Sequence, residues 1–391
     1  MSSHLTTNTE LIYLDNLATT PTAPEVIEAM CEVLRHEWGN PSSAHALGWR
    51  ARERVEDARL SLARLLGVRP QRLIFTSGAT EASHLALSGA LALLSDDELR
   101  GARVVSQVSE HSATLGPLRA MSERRDGPEL ALAPLTQEGP LSGQVDLNAF
   151  EALITPNTRL VSLMHVNNEL GVIQPLHELI ERVRALAHPL CLVHVDGAQA
   201  VGKLPVDLSA LDADLYSLSA HKFYGPKGAG ALCVWPRGER AQLKLPPVLF
   251  GGGQERGLRP GTLATHQLVG LGVAARLTQE RLTQDIEHSS ALSKTLFNTL
   301  CERGARLNAL APRVSGALNV RCDEPLFERL SEGWSGRVAY SRGSACQSAS
   351  GAPSHVLRAL GLSPQEASLS VRLCVGRYTT KEEVARALKA L

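Results

Sequence analysis

The chain has 391 residues, with 40 Lys+Arg against 40 Asp+Glu. That is length enough for about two domains, with no charge excess to draw nucleic acid or an anionic membrane. Aromatics make up only 4% of residues, so an aliphatic core is expected, and no apolar run approaches the roughly 18 residues of a membrane span.

The opening MSSHLTTNTELIYLD has neither a basic head nor an apolar core of the kind that directs export. Seven cysteines, at 31, 191, 233, 301, 322, 346 and 374, form no C-x-x-C pair and no zinc-type spacing. A cytoplasmic location, small-molecule and protein partners, and no metal are therefore expected.

Taken in order, residues 11–24 read as a short strand and a polar turn, with Pro24 opening a helix to about Glu37. GNPSSAHALG, residues 39–48, is a loop before an Arg-rich amphipathic helix over about 49–66. From Arg72 short strands alternate with helices: RLIFT, then 103–107, 159–165, 190–195, 214–218 and 229–235. This order predicts an α/β fold with a mainly parallel sheet, whose ligands gather at the carboxyl ends of the strands. A long helix after Gly270 runs to about Arg303. Beyond it, 313–322, 337–341 and 369–375 read as strands, and 354–360 and 380–390 as helices.

The polar residues with chemical potential stand at those strand ends. TSGATE, residues 76–81, follows a strand and opens a helix, so its N–H groups and the Thr80 hydroxyl can hold a phosphate; an ordinary N-cap has the same pattern. His111 in SEHSA can stack on a planar ring and move protons, or be a satisfied polar residue. His165-Val166-Asn167-Asn168-Glu169 ends another strand with amides able to bind a carboxylate. Asp196 in HVDGAQ can pair with a protonated pyridine nitrogen, with Gln199 reaching a ring oxygen; capping of the next turn is the plainer alternative. Gly197 to Lys203 fits G-x-x-x-x-G-K, but Leu204 stands where a phosphate loop needs Ser or Thr, and no G-x-G-x-x-G follows a strand.

Lys222, in SAHKFYGPKG between Ser219, His221 and a Gly-Pro turn, suits a lysine whose amine must be neutral part of the time for Schiff-base chemistry, though a strand-end lysine reaching solvent would look alike. Arg372 lies in the apolar strand LSVRLC and so needs a partner; a substrate carboxylate held by both arms would serve. Cys346 is set in SRGSACQSASG, among Gly, Ala and Ser rather than the apolar neighbours of a structural cysteine, which reads as a reactive thiol with Arg342 able to stabilise its thiolate.

Together these segments resemble the cysteine desulfurases, enzymes dependent on pyridoxal 5'-phosphate (PLP) that remove sulfur from L-cysteine. The match runs in order through YLDNLATTP, GNPSSAHALG, FTSGATE, SEH, HVNNELGVIQ, HVDGAQAVGKLPVD, SAHKFYGPKGAGAL, GGGQERGLRPGT, SRGSACQSAS and SVRLCVGRYTT. The short cysteine loop is similar to that of the class serving nitrogenase and iron-sulfur assembly. The resemblance implies a PLP-dependent transferase of fold type I acting as a homodimer. Its large domain, 17–275, has a mainly parallel sheet; its small α+β domain, 1–16 with 276–391, carries the cysteine loop 341–351.

It also implies Lys222 as Schiff-base lysine and general base, and His111 on the ring face assisting proton transfer. Asp196 would meet the ring nitrogen and Gln199 the phenolic oxygen. Ala79, Thr80, Ser219 and His221 would hold the phosphate, with Thr262 reaching across from the second subunit. Asn168 and Arg372 would bind the substrate carboxylate. Cys346 would take the sulfur as a persulfide and pass it to a protein acceptor, such as an iron-sulfur scaffold or a sulfur carrier. Selenocysteine lyase, cysteine-sulfinate desulfinase, another PLP reaction and a non-catalytic sulfur carrier are the alternatives. Arg342, Gln347, His84 and Gln254 depart from the family's frequent residues, and none holds one of these roles.

Overall fold

The structure, a computed structural model, describes residues 11–342 and 354–391. A two-residue strand near the N-terminus, β1 (Ile12–Tyr13), leads into the strands of the large sheet: β2 (Leu73–Thr76), β3 (Arg103–Gln107), β4 (Glu129–Ala133), β5 (Thr158–Met164), β6 (Leu192–Asp196), β7 (Leu215–Ser219) and β8 (Gly230–Val234). They lie in the order β2-β8-β7-β6-β5-β3-β4. Pairing is parallel from β7 through β4, and β8 runs antiparallel to both β7 and β2. The α/β expectation holds, and the carboxyl ends of β2, β3, β5, β6 and β7 share one edge.

Adjacent residues in these strands point to opposite faces, and both faces are covered. Val105, Val161 and Val193 join one aliphatic core, and Val104, Leu160 and Leu192 the other. All residues of β2, β6 and β7 are buried, as continuous apolar runs require when helices cover both sides. The strand that the sequence reading lacks is β4. It is an edge strand with Glu129 exposed and three residues half-buried, and ELALA carries no β-branched signal.

The remaining strands are β9 (Arg306–Leu307), β10 (Ala317–Arg321), β11 (Val338–Ala339), β12 (Ser341–Arg342) and β13 (Ser370–Cys374). Four of them form an antiparallel sheet ordered β12-β13-β10-β9, and β11 pairs in parallel with β1. Ile12 and Leu14 share a core with Leu318, Val320, Trp334, Val371 and Leu373, so both chain ends build one apolar cluster.

The helix Thr265–Glu302 starts five residues before the Gly270 from which the sequence reading dated it. Its first half contributes Leu268, Leu271 and Ala275 to the large-sheet core, and its second half Leu292, Leu296 and Leu300 to the small-sheet core. Gly272 makes the closest approach: a Cβ there would sit 2.5 Å from Ala58 Cα of the Ala46–Leu66 helix. One long helix thereby ties the two sheets together.

Candidate active site

Five strand ends and one strand of the small sheet converge on a cavity of about 490 Å³. It is lined by Ala79, Thr80, His111, Asn168, Asp196, Gln199, Ser219, His221, Lys222 and Arg372. These are the cofactor- and substrate-side residues expected from the sequence, save one. Thr262 is exposed and does not line the cavity. Cys346, Gln347 and most of the expected loop 341–351 lie outside the described residues.

The Ala79–Leu91 helix begins at the cavity with Gly78 as its N-cap, and no side chain accepts from its first N–H groups. A bare helix N-terminus facing a pocket favours an anion. Ser219 and His221 complete this end. Close packing is required here, since a Cβ on Gly230 would meet the Gly78 backbone at 2.6 Å.

Asp196 ends β6, is buried, and accepts from Ala198 N at 2.9 Å through Oδ1. Burial pushes its carboxyl upward, while that N–H and the charges of His111 and Lys222 pull it down. His111 caps the Ser112–Ser122 helix, its Nδ1 accepting from Ala113 N at 3.1 Å. Because that nitrogen accepts, a neutral ring carries its proton on Nε2. Burial, then the charges of Lys222 and His355, lower its basicity against the pull of Asp196.

Lys222 Nζ donates to the carbonyls of Leu17 and Ala18, each at 2.8 Å, and Gln199 Nε2 donates to Leu17 O at 2.8 Å. The turn after β1 is thus the resting place of the lysine. His221 shares its Nδ1 with Thr19 Oγ1 at 3.1 Å. Burial, then neighbouring lysine charge, depresses the His221 imidazole to about 4, so near neutrality it can accept or donate one hydrogen bond without charge.

Arg372 lines the cavity as expected and is also paired within the chain. The ionic partner required by an arginine in an apolar strand is Asp15, whose Oδ1 accepts from Nη2 at 2.7 Å. Nη2 also donates to Ser341 Oγ at 2.9 Å, and Nη1 to Asn168 O at 2.9 Å. Nε is buried without a hydrogen-bond partner, as is Gln199 Oε1. Three of the five guanidinium N–H groups, including both on Nη2, are thus spent within the chain, so Nε–H is left for a carboxylate but no parallel two-armed fork is. The signal for Asp15 was its place at the end of a short apolar strand, but nothing local links it to a residue 357 positions away.

Two buried acids that sequence reasoning gave no role stand next to cavity residues in the chain. Glu110 is fully buried beside His111, and burial with the nearby Asp196 charge holds its carboxyl well above the usual carboxylate range. Glu169 is buried beside Asn168. Arg342, expected to stabilise the thiolate, lies 5.1 Å from the centre of the Phe327 ring, with Tyr340 OH at 3.4 Å. Cys191, Cys233 and Cys374 are buried thiols, the first two pushed up to about 12 and the third to about 11 by burial. None suits a nucleophile near neutrality.

Two histidines, His194 and His165, make the fold less stable in acid. His194 lies between Ser162 Oγ and Ser217 Oγ, both at 2.8 Å, and burial lowers it to about 3. His165 Nδ1 meets Tyr216 OH at 3.0 Å, and burial lowers it to about 4. The unfolded chain takes up these protons near the ordinary value and the folded chain refuses them. Stability present above pH 6.5 is therefore lost as pH falls toward 4, at up to about 1.4 kcal/mol per histidine per pH unit. Thermal melting from pH 7 to 4.5 should show His194→Gln losing less stability over that range than the unmodified protein, whereas the raised carboxyls of Glu110, Asp196 and Glu169 act with the opposite sign in both.

Among the described residues, no group of His, Cys, Asp and Glu is placed to hold a metal ion and no helix is long and apolar enough to cross a membrane. The aminotransferase class-V family profile matches residues 12–387. Cysteine desulfurase IscS of Mannheimia succiniciproducens is 42% identical over 383 residues, covering 95% of this chain and 90% of its own. The mitochondrial cysteine desulfurase of Arabidopsis thaliana is 41% identical over 382 residues, covering 97% and 81%. Among solved structures, a NifS-like protein superposes with a TM-score of 0.85 at 34% identity, covering 97% of each chain. SspA in complex with cysteine gives 0.78 at 33%, covering 94% of this chain and all of its own.

Proposed function

The chain belongs to the aminotransferase class-V family, and we propose that within it the protein is a cysteine desulfurase: it converts L-cysteine to L-alanine and transfers the sulfur through Cys346 to an acceptor for iron-sulfur or other thio-cofactor assembly. The observation that carries this reading is the convergence on one cavity of Lys222, His111, Asp196, Gln199 and Arg372 beside an uncapped helix N-terminus.

That donor set fits PLP. Asp196 is the acid for a ring nitrogen and the His111 ring is a flat neighbour. Gln199 and Arg372 bring buried polar atoms without protein partners. Gly78 to Thr80, with Ser219 and His221, supply the anion end. Bound there, PLP would supply an electron sink for the substrate's α-carbon. Lys222 would hold it covalently and, once displaced by the substrate amine, carry the α-proton; its rest position on the Leu17 and Ala18 carbonyls keeps it at the cavity wall. Asn168 and the free Nε of Arg372 would orient the substrate carboxylate. The Cys346 thiolate forms an S–S bond to the substrate sulfur as the C–S bond breaks. The electron pair remains on the β-carbon, which takes a proton, and alanine leaves.

The same reading takes a homodimer in which Thr262 serves the partner subunit's phosphate end, a division into 17–275 and 1–16 with 276–391, and a cytoplasmic setting. The protein supplied with PLP, L-cysteine and a thiol reductant is expected to form alanine and sulfide in equal amounts. Formation of neither product would refute the assignment.

A further inference from the structure

Asn168 belongs to a turn whose geometry is set by its neighbour. Asn167 Oδ1 accepts from Glu169 N at 2.9 Å and Leu170 N at 2.8 Å, and Asn167 Nδ2 donates to Ser109 O at 3.0 Å. The turn after β5 is therefore fastened to the turn after β3, which carries Glu110 and His111. Both turns then reach one further segment, the start of the helix His355–Ala359.

Ser354 is the N-cap of that helix: its Oγ accepts from Leu357 N at 3.1 Å and donates to Glu169 Oε2. Next to it, His355 Nε2 lies 3.0 Å from Glu110 O. A carbonyl oxygen only accepts, so Nε2 is the donor. Ser354 and Glu169 are both buried. Burial raises the Glu169 carboxyl, and Ser354, His355 and Arg372 oppose that rise. A carboxylate taken out of water needs such donors, so the contact with Ser354 is one the buried acid requires. Ser354 stands eight residues after Cys346 in the chain. Five residues before Cys346, Ser341 donates to Asp15 Oδ2 at 2.9 Å and accepts from Arg372.

We propose that Glu169 and His355 are positioning residues that hold the C-terminal end of the Cys346 segment to the turns bearing His111 and Asn168, while Ser341 holds the N-terminal end to Arg372. Both ends of the sulfur-carrying segment are thereby registered to the substrate-side residues. This inference rests on Cys346 as sulfur acceptor. Its physical content is entropic: each contact that holds an end of the segment removes arrangements that a free end would allow, which raises the effective concentration of the thiol for the bound substrate. Freeing one end should slow sulfur capture without altering how L-cysteine is bound.

The test uses the PLP-loaded protein and the variants Ser354→Ala, His355→Ala and His355→Gln, with Glu169→Gln as a fourth. Ser354→Ala and His355→Ala are expected to lower kcat for alanine formation by roughly tenfold to a hundredfold with KM nearly unchanged. Alkylation of Cys346 by iodoacetamide, read by peptide mass spectrometry against the exposed Cys301 of the same chain, should accelerate by about fivefold or more. His355→Gln keeps a side-chain N–H for Glu110 O and should recover most of the turnover.

An unchanged alkylation ratio in both alanine variants would overturn the proposal. So would an altered ratio with unchanged turnover, or a lowered melting temperature that accounts for the whole loss. If the unmodified protein formed no alanine, the assigned reaction would fail. The alkylation ratio would still report whether Glu169 and His355 fasten the segment.

Discussion

Replacing Lys222 by alanine is expected to lower alanine formation from L-cysteine by at least about 10³-fold and to remove the near-visible absorbance of lysine-bound PLP. The expectation follows from what the substitution leaves behind. Asp196, His111, Ser219 and His221 are held by Ala198 N, Ala113 N, the strand β7 and Thr19, none of which depends on the Lys222 side chain. The ring and phosphate subsites should survive, so PLP should still bind, though without a covalent tether. What disappears is the amine that takes and returns the α-proton. Lys222 also fastens the turn after β1 through Leu17 O and Ala18 O, which an alanine cannot do, so a loss of folding must be told apart from a loss of chemistry. Lys222→Arg makes that distinction: its guanidinium can still donate to the two carbonyls, but it stays protonated and cannot serve as base. Both variants should be inactive, and Lys222→Arg should melt close to the unmodified protein. An active Lys222→Arg protein would remove Lys222 from the assigned role.

The strands of the large sheet were legible because burial on both faces leaves short, dense apolar runs bounded by polar turns. Those turns, at TSGATE, SEH, HVNNE, HVDGAQ and SAHK, are also where the cavity residues stand. A parallel sheet collects its carboxyl-terminal loops on one edge, so reading the strands correctly was enough to bring Thr80, His111, Asn168, Asp196 and Lys222 together. The residues that hold those loops in place were a different matter. Asp15 and Arg372 are joined by a 2.7 Å ion pair and Glu169 meets Ser354, in each case across distant parts of the chain. An acid at a strand end looks the same whether it faces water or a buried arginine. Only the packing of the small sheet against the large one decides which, and no local pattern encodes that packing. The assignment of Arg372 shows the consequence. An arginine in an apolar strand announces its need for a carboxylate, but that the chain's own Asp15 pairs with Nη2 while Nε stays unpartnered shows only in the fold.

Replacing Cys346 by alanine is expected to abolish sulfide and alanine formation from L-cysteine, by about 10³-fold or more, while leaving the PLP absorbance and its perturbation by L-cysteine in place. The argument is one of leaving groups and neighbours. Alanine forms only if the C–S bonding pair stays on the β-carbon, so the sulfur must pass to a nucleophile rather than leave as sulfide; the step therefore needs a thiolate, and the buried Cys191, Cys233 and Cys374 are held in the thiol form by burial. In the chain Cys346 stands among Gly343, Ser344, Ala345, Gln347 and Ser348 rather than in an apolar run. Selenocysteine supplies the contrast, because the C–Se bond is weaker than C–S, so selenium can part from a β-carbon that keeps the pair with less help from a captor. Cys346→Ala should therefore retain selenocysteine cleavage within about threefold while losing cysteine desulfuration. If both activities fell together, Cys346 would be serving the cavity rather than the sulfur. If neither fell, the acceptor would have to be another group, and the fastening of this segment at Ser341, Ser354 and His355 would have no sulfur to deliver.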